Sequence, residues 1–359
     1  MTHLDIPRLR LHNQRLIGRP FDKPEDVVRW LGAVQAQDYA GAKWGIAQRI
    51  AGAVNADLDQ AFNEGRILRT HVMRPTWHFV LPADIRWMLG LTAPRVHAAN
   101  AYYYRQQGLD DAVFKRSNAL LAGALAGGKE LTRAELAAAL QGGGIPARGL
   151  RLVYLLMRAE LDGVICSGAR RGNQFTYALL DDRVPQAPKF ERDEALAELT
   201  RRYFSSHGPA TIQDYAWWSG LSAADAKAGI ELVRSDLVSE DLNGKTYWFR
   251  DHAAPAELED LTVHLLPNYD EHIVAYKDHD PSLDPIVLEK LAPEEEALMA
   301  HIIIRNGLVI GGWRRTVQRK EVLITANLLI KLESGAEAAL EEAAKRYARF
   351  MGLRVKILF

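Results

Sequence analysis

The chain has 359 residues, with 45 Lys and Arg against 45 Asp and Glu, so its formal net charge is zero. That excludes a uniformly basic coat for nucleic acid, though not a basic face balanced by an acidic one. One cysteine, Cys166, excludes a disulfide framework and a cysteine-rich zinc site, and fits a reducing compartment.

At roughly 100–200 residues per domain, the length predicts two or three domains. No run reaches the roughly 18 apolar residues of a membrane helix. The opening Met-Thr-His-Leu-Asp-Ile-Pro lacks a basic stretch followed by an apolar one. A cytoplasmic protein without membrane association is expected.

In chain order, Leu9, Leu11 and Leu16 mark a first helix. Pro24-Glu25-Asp26 starts a second, with proline and acids in its first turn. Val27, Val28, Trp30, Leu31 and Val34 form its apolar face, which predicts an end near Gln35–Tyr39. Helices over Lys43–Ile50 and Asp57–Glu64 follow, the latter closed by Gly65. Ile67–Val72 and Trp77–Leu81 read as strands joined through Met73-Arg74-Pro75-Thr76.

Further on, Thr132 stands three residues before Glu135, a capping-box spacing that predicts a helix to Leu140. After the turn at Gly142-Gly143-Gly144, a helix over Leu150–Leu161 leads to a hairpin. Its strands are Gly163–Ser167 and Gln174–Leu180, with a basic tip at Arg170 and Arg171. Helix, turn, helix, hairpin is the order of a winged helix-turn-helix. The order repeats with a Thr211-capped helix to Trp218, a helix over Ala223–Val233, and a hairpin around Asn243-Gly244. The first segment fits the same order. A different portion follows: a strand over Leu261–Pro267, a hairpin over Ile302–Trp313 turning at Asn306-Gly307, a strand over Val322–Leu329 and a helix over Ala336–Met351.

The expected fold class is therefore α+β. Three tandem winged helix-turn-helix modules occupy 1–105, 106–185 and 186–255, and a mixed α/β portion with the hairpin occupies 256–359. Such modules place helices and wings against DNA. Residues 141–176 carry five arginines against Glu160 and Asp162. Arg148, Arg151, Arg170 and Arg171 are the phosphate-contact candidates.

Gln35 and Gln37 are spaced i, i+2. On a regular helix these positions point about 200° apart, so both can address one site only if the helix ends between them. Spacing alone fits a polar helix end at least as well. Asp270-Glu271-His272 and Asp278-His279-Asp280 have metal-ligand residue types without ligand spacing, so a turn is the expectation and no metal is assigned. His78 reads as a strand histidine, or with Arg74 and Thr76 as a site wall or DNA-facing group. Trp217 and Trp218 are expected in the core of the third module.

Several stretches together resemble the AlkZ-like DNA glycosylase family. They are Leu31-Gly32-Ala33-Val34-Gln35-Ala36-Gln37-Asp38-Tyr39, Ala42-Lys43-Trp44-Gly45-Ile46 and Met73-Arg74-Pro75-Thr76-Trp77-His78-Phe79-Val80. In the expected order there follow Leu265-Leu266-Pro267-Asn268-Tyr269-Asp270-Glu271, Tyr276-Lys277-Asp278-His279 and Gly311-Gly312-Trp313-Arg314-Arg315. The resemblance implies three winged-helix units curved into a C-shape around double-stranded DNA. It also implies monofunctional excision of alkylated purines, including bulky adducts and interstrand crosslinks. It casts Gln35 and Gln37 as the catalytic pair, Asp38 as an electrostatic helper, and Ile302–Trp313 as a hairpin against DNA. Arg305, Asn306, Arg314 and Arg315 are then further DNA-binding candidates. No cofactor and no obligate protein partner is implied, and a monomer is expected. The alternatives are a non-catalytic winged-helix regulator and a metal-dependent enzyme built on Asp270–Asp280.

Overall fold

The structure, a computed structural model, describes residues 5–184, 190–250, 261–283, 285–290, 300–333 and 335–358. The expected domain boundaries at 185/186 and 255/256 lie outside the described residues.

The first segment runs α1 (Asp5–Asn13), α2 (Pro24–Leu31), β1 (Val34–Gln35), α3 (Tyr39–Ala47), α4 (Asn55–Asn63), β2 (Leu68–Val72), β3 (Arg74–Val80) and α5 (Pro82–Gln106). The expected end of α2 near Gln35–Tyr39 is corrected. The helix stops at Leu31 because Gly32 takes φ 81°. Val34 and Gln35 then pair with Phe79 and His78 of β3, so these residues are extended. Asp38 caps α3 by accepting from the Gly41 N–H at 3.1 Å. The sequence reading leaves α5 unassigned. Pro94 lies inside its 25 residues and reads locally as a break, but Ile85, Met88 and Val96 are buried along it.

Next come α6 (Asp111–Leu125), β4 (Leu131–Thr132), α7 (Arg133–Gly142), α8 (Gly149–Leu161), β5 (Ile165–Ser167), β6 (Thr176–Leu179) and α9 (Leu180–Arg183). The predicted capping box forms, with the Thr132 side chain accepting from the Glu135 N–H and Glu135 accepting from the Thr132 N–H. A third group has α10 (Arg192–Ser206), α11 (Ile212–Ser219), α12 (Ala223–Leu232), β7 (Val238–Leu242) and β8 (Lys245–Phe249). The last portion holds β9 (Val263–Leu266), α13 (Glu271–Val274), α14 (Pro285–Lys290), β10 (Ile302–Arg305), β11 (Leu308–Val317), β12 (Glu321–Leu328), α15 (Ala336–Met351) and β13 (Arg354–Leu358). Its sheet has the order β13-β12-β11-β10-β9. The architecture is α+β, as expected.

The three-stranded sheet β1-β3-β2 sits at the centre, and period-two alternation gives it two faces. Ile67, Phe79 and Val34 enter one apolar core with α2, α3, α4 and α15. Ala33, Leu68, Val72 and Val80 enter another with α5, α10 and α11. The second face turns polar toward one end, where Gln35, Thr70, Arg74, Thr76 and His78 follow the same alternation.

Gly220, the left-handed cap of α11, closes against this end of the sheet. A Cβ there would lie 2.1 Å from the Met73 carbonyl oxygen, at φ 70°. Gly220→Ala is expected to cost more than about 1 kcal/mol, read as a lower denaturation midpoint with unchanged helix content.

Candidate active site

The extended backbone resolves the spacing problem of the two glutamines. Gln35 ends β1 and Gln37 lies in the bend before α3, so helical directions do not apply, and both amides accept from β3, Gln35 from the Arg74 side chain and Gln37 from the Trp77 N–H. Gln35 is buried and Gln37 is exposed.

Gln35 is held at both ends. Its N–H donates to Glu271 Oε1 at 2.8 Å, and its side-chain oxygen accepts from Arg74 Nη2 at 2.8 Å. An amide oxygen has two lone pairs, so one remains for a water. The Arg74 contact also fixes which way the amide points. Gln37 is looser, with its oxygen 3.5 Å from the Trp77 N–H. Asp38 is half-exposed and committed to the α3 cap. A Cβ at Gly41 would meet the Asp38 carboxylate at 2.7 Å and Pro267 at 3.2 Å, which keeps this corner free of side chains.

Behind Gln35 lies a buried acid. Glu271 accepts from Gln35 through one oxygen and from the Trp218 indole N–H at 2.9 Å through the other. His207 Nε2 stands 3.4 Å from that second oxygen. Sequence reasoning treated Glu271 as part of a turn. No local signal shows that it reaches a backbone 236 residues away. Its neighbour Asp270 is bonded to both Arg49 terminal nitrogens, at 3.1 and 2.9 Å, and His272 Nε2 is 3.0 Å from the Gly307 carbonyl. Among the described residues no group of three His, Cys, Asp or Glu is arranged to hold a metal ion.

Trp218 is in the core as expected, but Trp217 is not. It is 44% exposed, its indole N–H donates to the Val274 carbonyl at 3.1 Å, and Arg74 lies 6.0 Å from its ring centre. The reason is helical geometry: adjacent helix residues point about 100° apart, so only one of the pair can face the core. Arg74 and Thr76 are half-buried at the site, and His78 is fully buried. His78 is thus enclosed and is not a surface-exposed residue that faces DNA. Burial, with Arg74 adding to it, holds its imidazole well below the usual range.

The remaining arginines divide. Arg148 is exposed at the start of α8. Arg151 is turned inward onto the Gln107 and Pro146 carbonyls. Arg170 lies against the Tyr39 and Phe175 rings, 3.8 Å from Asp59, and Arg171 bonds Glu135 and the Glu130 carbonyl. The Ile302–Trp313 hairpin forms, but its turn packs inward. Asn306 accepts from the Thr262 N–H, a Cβ at Gly307 would lie 2.7 Å from the Pro7 carbonyl, and Arg305 is 3.6 Å from Glu333. The next hairpin, β11–β12, is the exposed one. Arg314 and the tip Gln318-Arg319-Lys320 are open to solvent, and the sequence reading missed that tip. Arg315 sits 2.9 Å from His301 and faces the Trp313 and Tyr347 rings. Burial and Arg315 push His301 down to about 4, against the opposing charge of Asp38.

The whole architecture has a solved counterpart. The structure of the DNA glycosylase AlkZ from Streptomyces sahachiroi superposes with a TM-score of 0.79, is 23% identical, and the match covers 100% of both chains. The fold thus defines the class, an α+β protein with the architecture of that DNA glycosylase. An interstrand DNA cross-link repair glycosylase from Streptomyces sahachiroi is 25% identical over 370 residues, covering 96% of this chain and 95% of that one. The model of the family described as DNA glycosylase AlkZ-like matches residues 28–350, and the chain belongs to that family.

Proposed function

We propose that this protein is a monofunctional DNA glycosylase that hydrolyses the N-glycosidic bond of alkylated purines in duplex DNA, with Gln35 and Gln37 orienting the water. The observation that carries this is the placing of both amides against β3, with Gln35 locked between Glu271 and Arg74 and Gln37 beside the Trp77 N–H. A purine alkylated at N7 is cationic and already a good leaving group. It needs no protonation by an acid, only a placed water and support for an oxocarbenium-like sugar. Amides that accept hydrogen bonds from water meet the first need.

The element order supports tandem winged modules. α7, α8 and the β4-β6-β5 sheet follow the helix-helix-wing sequence, as do α11, α12 and β7–β8. Such an array works from the groove. That suits a crosslinked base, which drags its partner strand and cannot be flipped freely. The chain acts as a monomer in the cytoplasm, associated with the nucleoid when bound to DNA. Arg148 and Arg314 contact phosphates, and the β11–β12 tip is the hairpin set against DNA.

The direct test is base release from a duplex carrying N7-alkylguanine or a mustard crosslink, with chelator present, scored as alkali-labile abasic sites. Release establishes the activity. Tight binding without release, indifferent to the lesion, leaves a DNA-binding protein. For the hairpin, Arg319→Ala with Lys320→Ala is expected to weaken duplex binding and flatten the log K against log salt slope by about 2, since each phosphate contact contributes about 0.9. An unchanged slope would remove the tip from the interface.

A further inference from the structure

His78 stands directly opposite Gln35 in the β1–β3 ladder. Side chains so placed share a face, with Cβ atoms about 4.5–5.5 Å apart. The imidazole Nδ1 is 2.9 Å from the Thr76 carbonyl oxygen. A carbonyl can only accept, so Nδ1 carries the proton and Nε2 presents a bare lone pair. That Nε2 is buried and has no protein partner. The same is true of Thr76 Oγ1, two residues along the same face, of Thr70 Oγ1, opposite His78 on β2, and of Arg74 Nε. Buried polar atoms are nearly always bonded, to protein or to ordered water. Four orphans on one sheet face, beside an amide with a free lone pair, make a polar site whose complement is water.

Resting on the glycosylase reading above, we propose that His78 is a catalytic residue: its Nε2 accepts a hydrogen bond from the attacking water and takes that water's proton. The C1′–N9 bond breaks with its electron pair going to the purine, which leaves neutral. The water oxygen bonds C1′, and one proton must be lost. Gln35 and Gln37 orient the water but cannot accept that proton. A weak base suffices, because an oxygen newly bonded to an oxocarbenium carbon is far more acidic than an imidazolium. The charged and titratable neighbours that act on His78 are Arg74 on its own strand and His71 on β2, and both favour the neutral ring. The lone pair is therefore available at physiological pH.

The test is single-turnover base release from duplex DNA containing N7-methylguanine, with affinity and melting temperature measured for each variant. His78→Phe is expected to release base at least about 100-fold more slowly, with affinity and melting temperature close to wild type. His78→Gln, which can hold water but not take its proton, should fall between the two, at least about tenfold below wild type. It carries the test if the phenylalanine variant does not fold. Release by His78→Phe within about threefold of wild type would overturn the proposal. So would a loss that tracks a fall in affinity or melting temperature. Failure of the glycosylase reading looks different: wild type itself releases no base.

Discussion

Gln37→Ala is expected to lower base release by about 100- to 1,000-fold while duplex affinity changes less than about twofold. The rate loss follows from the job: a misplaced nucleophile alone can cost about 100-fold, and lost stabilisation of developing charge about as much again. The fold itself should survive the change. Gln37 is exposed and makes one long contact, to the Trp77 N–H at 3.5 Å, and surface truncations of that kind usually shift stability by less than about 0.5 kcal/mol. Gln35→Ala should lose rate to the same extent. Its backbone bond to Glu271 survives the substitution, although Arg74 loses its acceptor. The double variant should be little worse than either single one, because groups acting on one water are not additive. Single-turnover release beside fluorescence anisotropy reads both quantities. Equal loss of binding and release would make the glutamines structural.

Asp270→Asn is expected to destabilise the protein by about 3–5 kcal/mol. Asp270 and Arg49 form a buried pair, with both side chains 2% exposed. The asparagine is nearly the same shape but leaves the guanidinium charge buried without a counter-charge. Arg49 also bonds the Gly45 and Gln14 carbonyls, so it stays in place and the cost is electrostatic. Burial by itself would raise the Asp270 carboxyl, but the charge and hydrogen bonds of Arg49 and the His272 N–H outweigh it and hold the group below its ordinary value. A carboxyl lowered by folding stabilises fully above its unfolded value of about 3.9, and that contribution is lost as pH falls through the folded value. Wild type should therefore lose stability on acidification more steeply than the variant. Denaturant midpoints across pH 3–7 test this, and parallel curves would assign the pair no role. The pair also places its neighbour Glu271 under Gln35, so base release should fall with stability.

Much of this chain is written locally. The Thr132 and Thr211 capping boxes form because a side chain and a backbone three residues away meet in any helix start. Asn243-Gly244 and Asn306-Gly307 turn as expected, all four residues taking positive φ, since Asn and Gly bear that conformation at least cost. The Gln-Ala-Gln segment is visible as a motif, and with it the family. What the sequence could not decide was where each of these features faces. Gln35 reads as a helix end until Gly32 and the β3 ladder draw it into a strand, and Glu271, which holds it, is 236 residues distant. Asn306-Gly307 marks a hairpin correctly, yet α1 covers its turn and leaves the next hairpin exposed. Arg151 and Arg171 are cationic in any reading, and whether they meet phosphate or their own fold depends on which carbonyls and carboxylates the packing brings beside them. Turns and caps are governed by interactions across a few residues. Burial, pairing and exposure are set by contacts between distant segments, and only the tertiary structure holds those.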